Sequence, residues 1–288
     1  MAATVQTFFH EDTFTFTHRV QDQASGKVAL VDPVLDFDQK SGRTGTASID
    51  RILQQLEAES APVVLVLETH AHADHLSAGD YIRSQTGAEI VIGKPIVQVQ
   101  EIFAGLFNEG DDFRTDGHQF DRLVTEGDEI ALGESCFQVL STPGHTPACV
   151  SYRLNESDVF VGDTIFMPDV GSARCDFPGG NASVLYESVQ RLLSLGDDVV
   201  MHLCHDYPPE GREERVSAVT VAEQKQRNIH MRLGITSDTF VEMREARDAT
   251  LDVPRLILPS LQVNIRAGAL PDAESNGVSY LKLPLNFL

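Results

Sequence analysis

The chain has 288 residues, 42% of them hydrophobic and 23% charged, and its 22 Lys and Arg against 43 Asp and Glu leave a formal net charge of −21 at pH 7. That length buries a substantial core as one large domain or two small ones, and that charge repels phosphate backbones and anionic headgroups, which excludes nucleic acid and membrane surfaces as partners. The N-terminal stretch lacks a basic segment followed by an apolar one, no run of about twenty apolar residues occurs, and Cys136, Cys149, Cys175 and Cys204 lie far apart, so a soluble, cytoplasmic protein with reduced thiols is expected.

Taken in order, TFTFTHRV and KVALVDPV alternate β-branched and aromatic residues around the polar QDQASG and read as a hairpin. In SIDRILQQLEAES, Ile49, Ile52, Leu53 and Leu56 have helical spacing. A buried strand PVVLVLE follows, then a loop, a helix through LSAGDYIRSQT and a strand AEIVIG. After the irregular acidic stretch NEGDDFRTDGHQFD come four strands, EIALG, SCFQVLST, CVSYRL and DVFVGDTIF, an amphipathic helix SVLYESVQRLLSL and a strand DVVMHLCH. Beyond Pro209 two helices are expected, VSAVTVAEQKQRNIHMRLG and SDTFVEMREARDATL, before a tail punctuated by Pro and Gly. The alternation predicts an α/β domain with sheets inside, helices outside and a helical C-terminal extension packed on it.

The loop after PVVLVLE holds His70, His72, Asp74 and His75 within six positions. Desolvating such a cluster unpaired is costly, so its use is chemical rather than structural. His145 in STPGHTPACVS, Asp163 in FVGDTIF and His205 in HLCHDYPP also stand where strands end, and loops on the end of a rigid sheet bring such side chains together. Imidazole with carboxylate suits zinc, iron or manganese, and the lack of thiolate among these positions argues against a structural zinc site. The remaining histidines, His10, His18, His118, His202 and His230, read as ordinary structural residues, His202 pointing away from His205 and His230 on a helix face. Cys175 and Cys204 flank candidate positions and would be the feature of a redox sensor, although a free Cys is more often a small buried hydrophobe.

The order His-x-His-x-Asp-His, GHT, GDT, HDY resembles the metallo-β-lactamase superfamily, from the first hairpin to about Tyr207. The resemblance implies an αββα sandwich over residues 1–211 with residues 212–288 as the extension. In two-metal members, the residues matching His70, His72 and His145 hold one ion, those matching Asp74, His75 and His205 the other, and Asp163 bridges. Exported β-lactamases of the best-known class carry Cys in place of Asp163, which argues against antibiotic hydrolysis. HDY and the acidic bridge are similar to glyoxalase II, a two-zinc thioesterase. DPVLDFDQKSGRT, SARCDFPGG and the tail resemble bacterial persulfide dioxygenases over almost the whole chain.

That second likeness implies one Fe(II) on His70, His145 and Asp163, with His72, Asp74, His75 and His205 around them orienting ligands and water. It implies glutathione persulfide and O₂ as substrates, Arg174 and Tyr207 beside the glutathione, and room for a homodimer. Ala148 departs from the Gly usual after GHTP.

Overall fold

The protein is described by a computed structural model over residues 3–286. Strands β1 (Thr4–His10), β2 (Thr15–Gln21), β3 (Val28–Val31), β4 (Val34–Asp38) and β5 (Arg43–Gly45) precede helix α1 (Ala47–Ala58). Strands β6 (Val63–Leu67) and β7 (Leu76–Ser77) lead into α2 (Gly79–Thr86), β8 (Glu89–Gly93) and α3 (Ile96–Leu106). Then come β9 (Arg122–Val124), β10 (Glu129–Leu132), β11 (Ser135–Ser141), β12 (Val150–Leu154), β13 (Asp158–Phe160), α4 (Ala182–Leu193) and β14 (Val200–His202). The C-terminal part supplies β15 (Ala218–Thr220), α5 (Val221–Arg227), α6 (Ser237–Asp248) and α7 (Ile257–Asn264).

Two six-stranded sheets result, in the orders β1-β2-β3-β6-β8-β9 and β10-β11-β12-β13-β14-β15. The two-residue period of a strand sorts the side chains into layers. Ala29, Val31, Leu65, Leu67 and Val91 meet Phe137, Val139 and Tyr152 between the sheets. Val28, Leu30, Val66 and Ile90 turn outward onto Ile49 of α1, Ile82 of α2 and Val99 of α3. Leu185 and Val189 of α4 cover the outer face of the second sheet with Val159 and Met201. The layering is αββα, as expected.

The extension divides between the two outer layers. Phe240 of α6 joins the helices on the second sheet, Leu261 and Val263 of α7 join those on the first, and β15 adds an edge strand beside β14. Several boundaries differ from the sequence expectation. The hairpin gains an outer strand, β1. Leu76 and Ser77 pair with β4, so α2 starts only at Gly79. Helix α3 goes unannounced because IVQVQ alternates like a strand, yet its residues pack as a helix through Val99, Gln100 and Phe103. Strand β13 stops at Phe160, and GDT forms a 3₁₀ turn. Helix α5 ends at Arg227, so His230 lies in the following turn rather than on a helix, its Nδ1 accepting from Ser172 N at 3.0 Å. The tail holds α7.

Arg244 in α6 is almost fully buried. It donates to Asp248 Oδ1 through Nε (2.9 Å) and Nη2 (2.6 Å), while Asp248 Oδ2 accepts from Cys175 N at 2.8 Å. Removing one partner of a buried pair leaves an uncompensated charge, so Arg244→Ala should lower stability by about 3–5 kcal/mol in urea unfolding followed by circular dichroism.

Candidate metal centre

Strands β3, β6, β13 and β14 all end on the same edge of the sandwich, where a parallel arrangement gathers loops. His70 and its neighbours follow β6, Asp163 follows β13, His205 follows β14, and His145 sits in the turn between β11 and β12. Two glycines allow the close approach. A Cβ on Gly162 (φ +54°) would lie 2.5 Å from Thr69 Oγ1, and one on Gly144 (φ +135°) 2.4 Å from the backbone of Leu185. The sheets are joined at this edge by a bridge between Thr15 and His205, with Phe16 N donating to Cys204 O at 2.7 Å.

All seven sequence-expected donors converge. His70, His145 and Asp163 form one group with ligand atoms within 4.8 Å of one another, and His72, Asp74, His75 and His205 form a second. Asp163 faces both: Oδ2 lies 3.9 Å from His70 Nε2 and 3.8 Å from His145 Nε2, while Oδ1 lies 3.3 Å from His205 Nε2. His205 Nε2 is also 3.1 Å from Asp74 Oδ2. None of His10, His18, His118, His202 or His230 belongs to either group. His202 instead donates Nε2–H to Asp158 Oδ1 at 2.8 Å and stacks on Phe160, away from His205 as expected.

Hydrogen-bond logic fixes which nitrogen of each ring faces the site. Thr69 Oγ1 gives its hydrogen to Asp32 Oδ2 (2.9 Å), so it accepts from His70 Nδ1–H (3.0 Å) and leaves Nε2 bare. His145 donates Nδ1–H to Arg174 O at 2.8 Å, and His205 donates Nδ1–H to Phe14 O at 3.2 Å. His72 is turned round, with Nε2 on Asp32 Oδ1 at 3.0 Å and Nδ1 free. His75 Nδ1 lies 3.3 Å from Asp74 Oδ1. Accordingly His70 Nε2, His72 Nδ1, His75 Nε2, His205 Nε2 and Asp163 Oδ1 are buried without a hydrogen-bond partner. Buried polar atoms are normally satisfied, and an inward ring of bare lone pairs backed by fixed N–H donors is what a cation requires. The residues fit a metal. Asp32 and Thr69, which orient His70 and His72, were missed in the sequence because a lone Asp after a strand and a Thr before a His carry no distinguishing pattern.

Burial dominates the electrostatics. It lowers His70 and His72 well below the usual imidazole range, helped by neighbouring rings, and it raises Asp163. Burial also opposes charge on His205, but Asp163 and Asp74 together outweigh it and raise that ring. The thiols of Cys149 and Cys175 are pushed up to about 12, chiefly by burial, and Cys204 is raised well above the usual thiol range for the same reason. Burial disfavours the thiolate form in all three, which argues against a redox sensor built on these cysteines.

Beside the donors opens a cavity of about 1000 Å³ walled by Phe14, Phe166, Phe177 and Tyr207, with Arg174, Arg247 and Arg255 around it. Tyr207 stacks on His205 at 5.5 Å and donates to Asp74 at 3.4 Å. The fork of Arg174 is engaged by Asp176, at 2.6 Å through both Nε and Nη2. Arg247 makes no ion pair or side-chain hydrogen bond among the described residues, a freedom invisible in sequence.

The family model described as metallo-beta-lactamase superfamily matches residues 14–205, which span every donor above. The chain belongs to the metallo-β-lactamase superfamily. A probable metallo-hydrolase of Burkholderia pseudomallei is 51% identical over 98% of this chain and 99% of its own. The human mitochondrial persulfide dioxygenase ETHE1 is 28% identical over 90% of this chain and 87% of its own. The crystal structure of ETHE1 from Myxococcus xanthus superposes with a TM-score of 0.73 at 30% identity, covering 92% of this chain and 100% of that one. Among the described residues no helix is long and apolar enough to cross a membrane.

Two outcomes follow from the site. Thr69→Val keeps the shape but removes the hydroxyl behind His70, and should weaken Fe²⁺ or Zn²⁺ binding about tenfold in chelator competition with the fold intact. His18 is lowered to about 3 and His230 to about 4, burial being the main cause in each, and His70 and His72 move the same way. A depressed histidine contributes its stability above the unfolded value near 6.5 and loses it as pH falls towards the folded value. His18 and His230 should each forfeit about 1.4 kcal/mol per pH unit below 6.5, offset in part by Glu68 and Asp163, whose raised carboxyls gain stability as pH falls. His205 runs the other way, its contribution being complete below 6.5. Urea midpoints of metal-free protein should therefore fall steadily from pH 7 to pH 5.

Proposed function

We propose that this protein is a persulfide dioxygenase that uses one non-haem iron, held by His70, His145 and Asp163, to convert glutathione persulfide, O₂ and water into sulfite and glutathione. The observation that carries this reading is the match to a persulfide dioxygenase along 90% of the chain, joined to a three-residue group of two histidines and a carboxylate opening onto a cavity. His70, His145 and Asp163 would hold the iron, which would supply the electrons that O₂ activation requires and that zinc lacks.

The chain's own residues then have defined tasks. Arg174 O and the Asp32–Thr69 pair hold His145 and His70 in register. His205 lies between Asp74 and Asp163, its Nε2 3.1 Å from one carboxylate and 3.3 Å from the other, and so keeps the two acids in register beside the iron ligands. Phe166, Phe177 and Tyr207 keep water from the sulfur. A glutathione carboxylate finds guanidinium at Arg174 if Asp176 yields, and at Arg247 without any displacement. Residues 1–211 carry the chemistry in this reading, while 212–288 form an extension that contributes Arg247 and Arg255 to the cavity wall.

A second reading, a two-zinc thioester hydrolase of the glyoxalase II type, is favoured by two observations. The His72, Asp74, His75, His205 group is complete, with His72 Nδ1 and His75 Nε2 bare, and the 51% identical relative is named a metallo-hydrolase. Metal analysis separates the two, one iron per chain against two zincs, alongside oxygen uptake with glutathione persulfide and hydrolysis of S-lactoylglutathione. His70→Ala, His145→Ala and Asp163→Ala should each remove most of the iron and the oxygen uptake, whereas His75→Ala should retain iron. Loss of iron from His75→Ala as complete as from His70→Ala would overturn the one-metal assignment.

A further inference from the structure

The loop from His70 to Ser77 has no secondary structure until β7, and its backbone needs partners because the loop is buried. One side chain supplies three of them. Asn264, the last residue of α7 and itself buried, donates Nδ2 to His72 O at 2.8 Å and to His75 O at 2.7 Å, and its Oδ1 accepts from Ser77 N at 2.8 Å. The amide has two hydrogens, and both go to carbonyls on either side of Asp74. No other orientation of the amide satisfies two acceptors and one donor.

The turn that follows is fitted to the same loop. Ala267 (φ +57°) and Gly268 (φ +90°) take left-handed conformations, and a Cβ on Gly268 would lie 2.7 Å from Ser77 O. Gln100 of α3 pins this turn by donating to Ile265 O at 2.9 Å.

The two halves of the loop are thus held by different parts of the chain. His70 is fixed from the sheet side by Thr69 and Asp32. The half carrying Asp74 and His75 is fixed from the extension. Asp74 sets His205, which faces Asp163.

We propose that Asn264 is a positioning residue for the metal centre, setting the spacing of His72 and His75 through their carbonyls and so the placement of Asp74, His205 and Asp163 about the ion. The inference rests on the metal-binding reading of the site. It makes the C-terminal extension a determinant of metal affinity, although no residue of it supplies a donor.

The test titrates metal-free native protein, Asn264→Ala, Asn264→Asp and Gln262→Ala with Co²⁺, reading visible absorption, stoichiometry and chelator competition, with the thermal midpoint of each metal-free protein as the measure of folding. Asn264→Asp preserves shape and the acceptor for Ser77 N but turns oxygen against two carbonyls. Gln262 is equally buried in α7 and bonds only within the extension, to Leu258 O and to the backbone of Lys282. Both Asn264 variants should bind Co²⁺ about tenfold or more weakly, with altered visible bands, and Gln262→Ala should match the native affinity and spectrum even where its midpoint falls. Native-like affinity and spectrum in Asn264→Asp would show that shape alone matters and overturn the proposal, and this variant decides the matter if Asn264→Ala does not fold. Equal weakening by Gln262→Ala would overturn it too, reducing the effect to general destabilisation. Absence of Co²⁺ uptake by the native protein would instead refute the metal reading itself.

Discussion

The carboxylate of Asp32 is the interaction on which the centre depends. It is buried at the end of β3 and takes hydrogens from Thr69 N, Thr69 Oγ1 and His72 Nε2. Through Thr69 it also sets the tautomer of His70. One carboxylate therefore directs two rings with opposite nitrogens inward, Nε2 of His70 and Nδ1 of His72. A histidine loop without it would have rings free to rotate and protons free to choose either nitrogen, and a cation would have to organise the site on arrival.

The fold provides that anchor by bringing parallel strand ends to one edge. Gly162 lets the turn bearing Asp163 lie on Thr69, and the bridge between Thr15 and His205 closes the two sheets against each other. These contacts place Asp163 between the two donor groups, with one oxygen towards each. The same arrangement serves one ion or two. Occupancy then turns on whether the inward lone pair of His205 is open to a second ion, since metal and proton compete for it.

Charge is distributed against the protein's average. The net charge is −21, yet the cavity wall carries Arg174, Arg247 and Arg255 beside the carboxylates of Asp12 and Asp169. Arg247, unpaired among the described residues, gives a small anion that reaches the cavity one uncommitted guanidinium within an otherwise acidic surface.

What the sequence determined by itself was the chemistry and the layering. Seven donors at strand ends, in a recognisable order, name the kind of centre because few other uses exist for so many histidines and acids in short loops, and alternating strands with amphipathic helices give an α/β domain with sheets inside and helices outside, the αββα order being what the family resemblance implies. Tertiary structure alone decided how those donors are held. Asp32, Thr69, Phe14 O, Arg174 O and Asn264 are single polar groups whose value comes from what lies opposite them, in some cases some 190 positions away in the chain, and no periodicity records such a partner. Helix α3 was hidden for a related reason, its alternating IVQVQ being compatible with a strand until packing of Ile96, Val99 and Phe103 onto the first sheet's outer layer selected the helix. Arg174 and Arg247 look alike in sequence, and only the fold commits one fork to Asp176 and leaves the other unpaired.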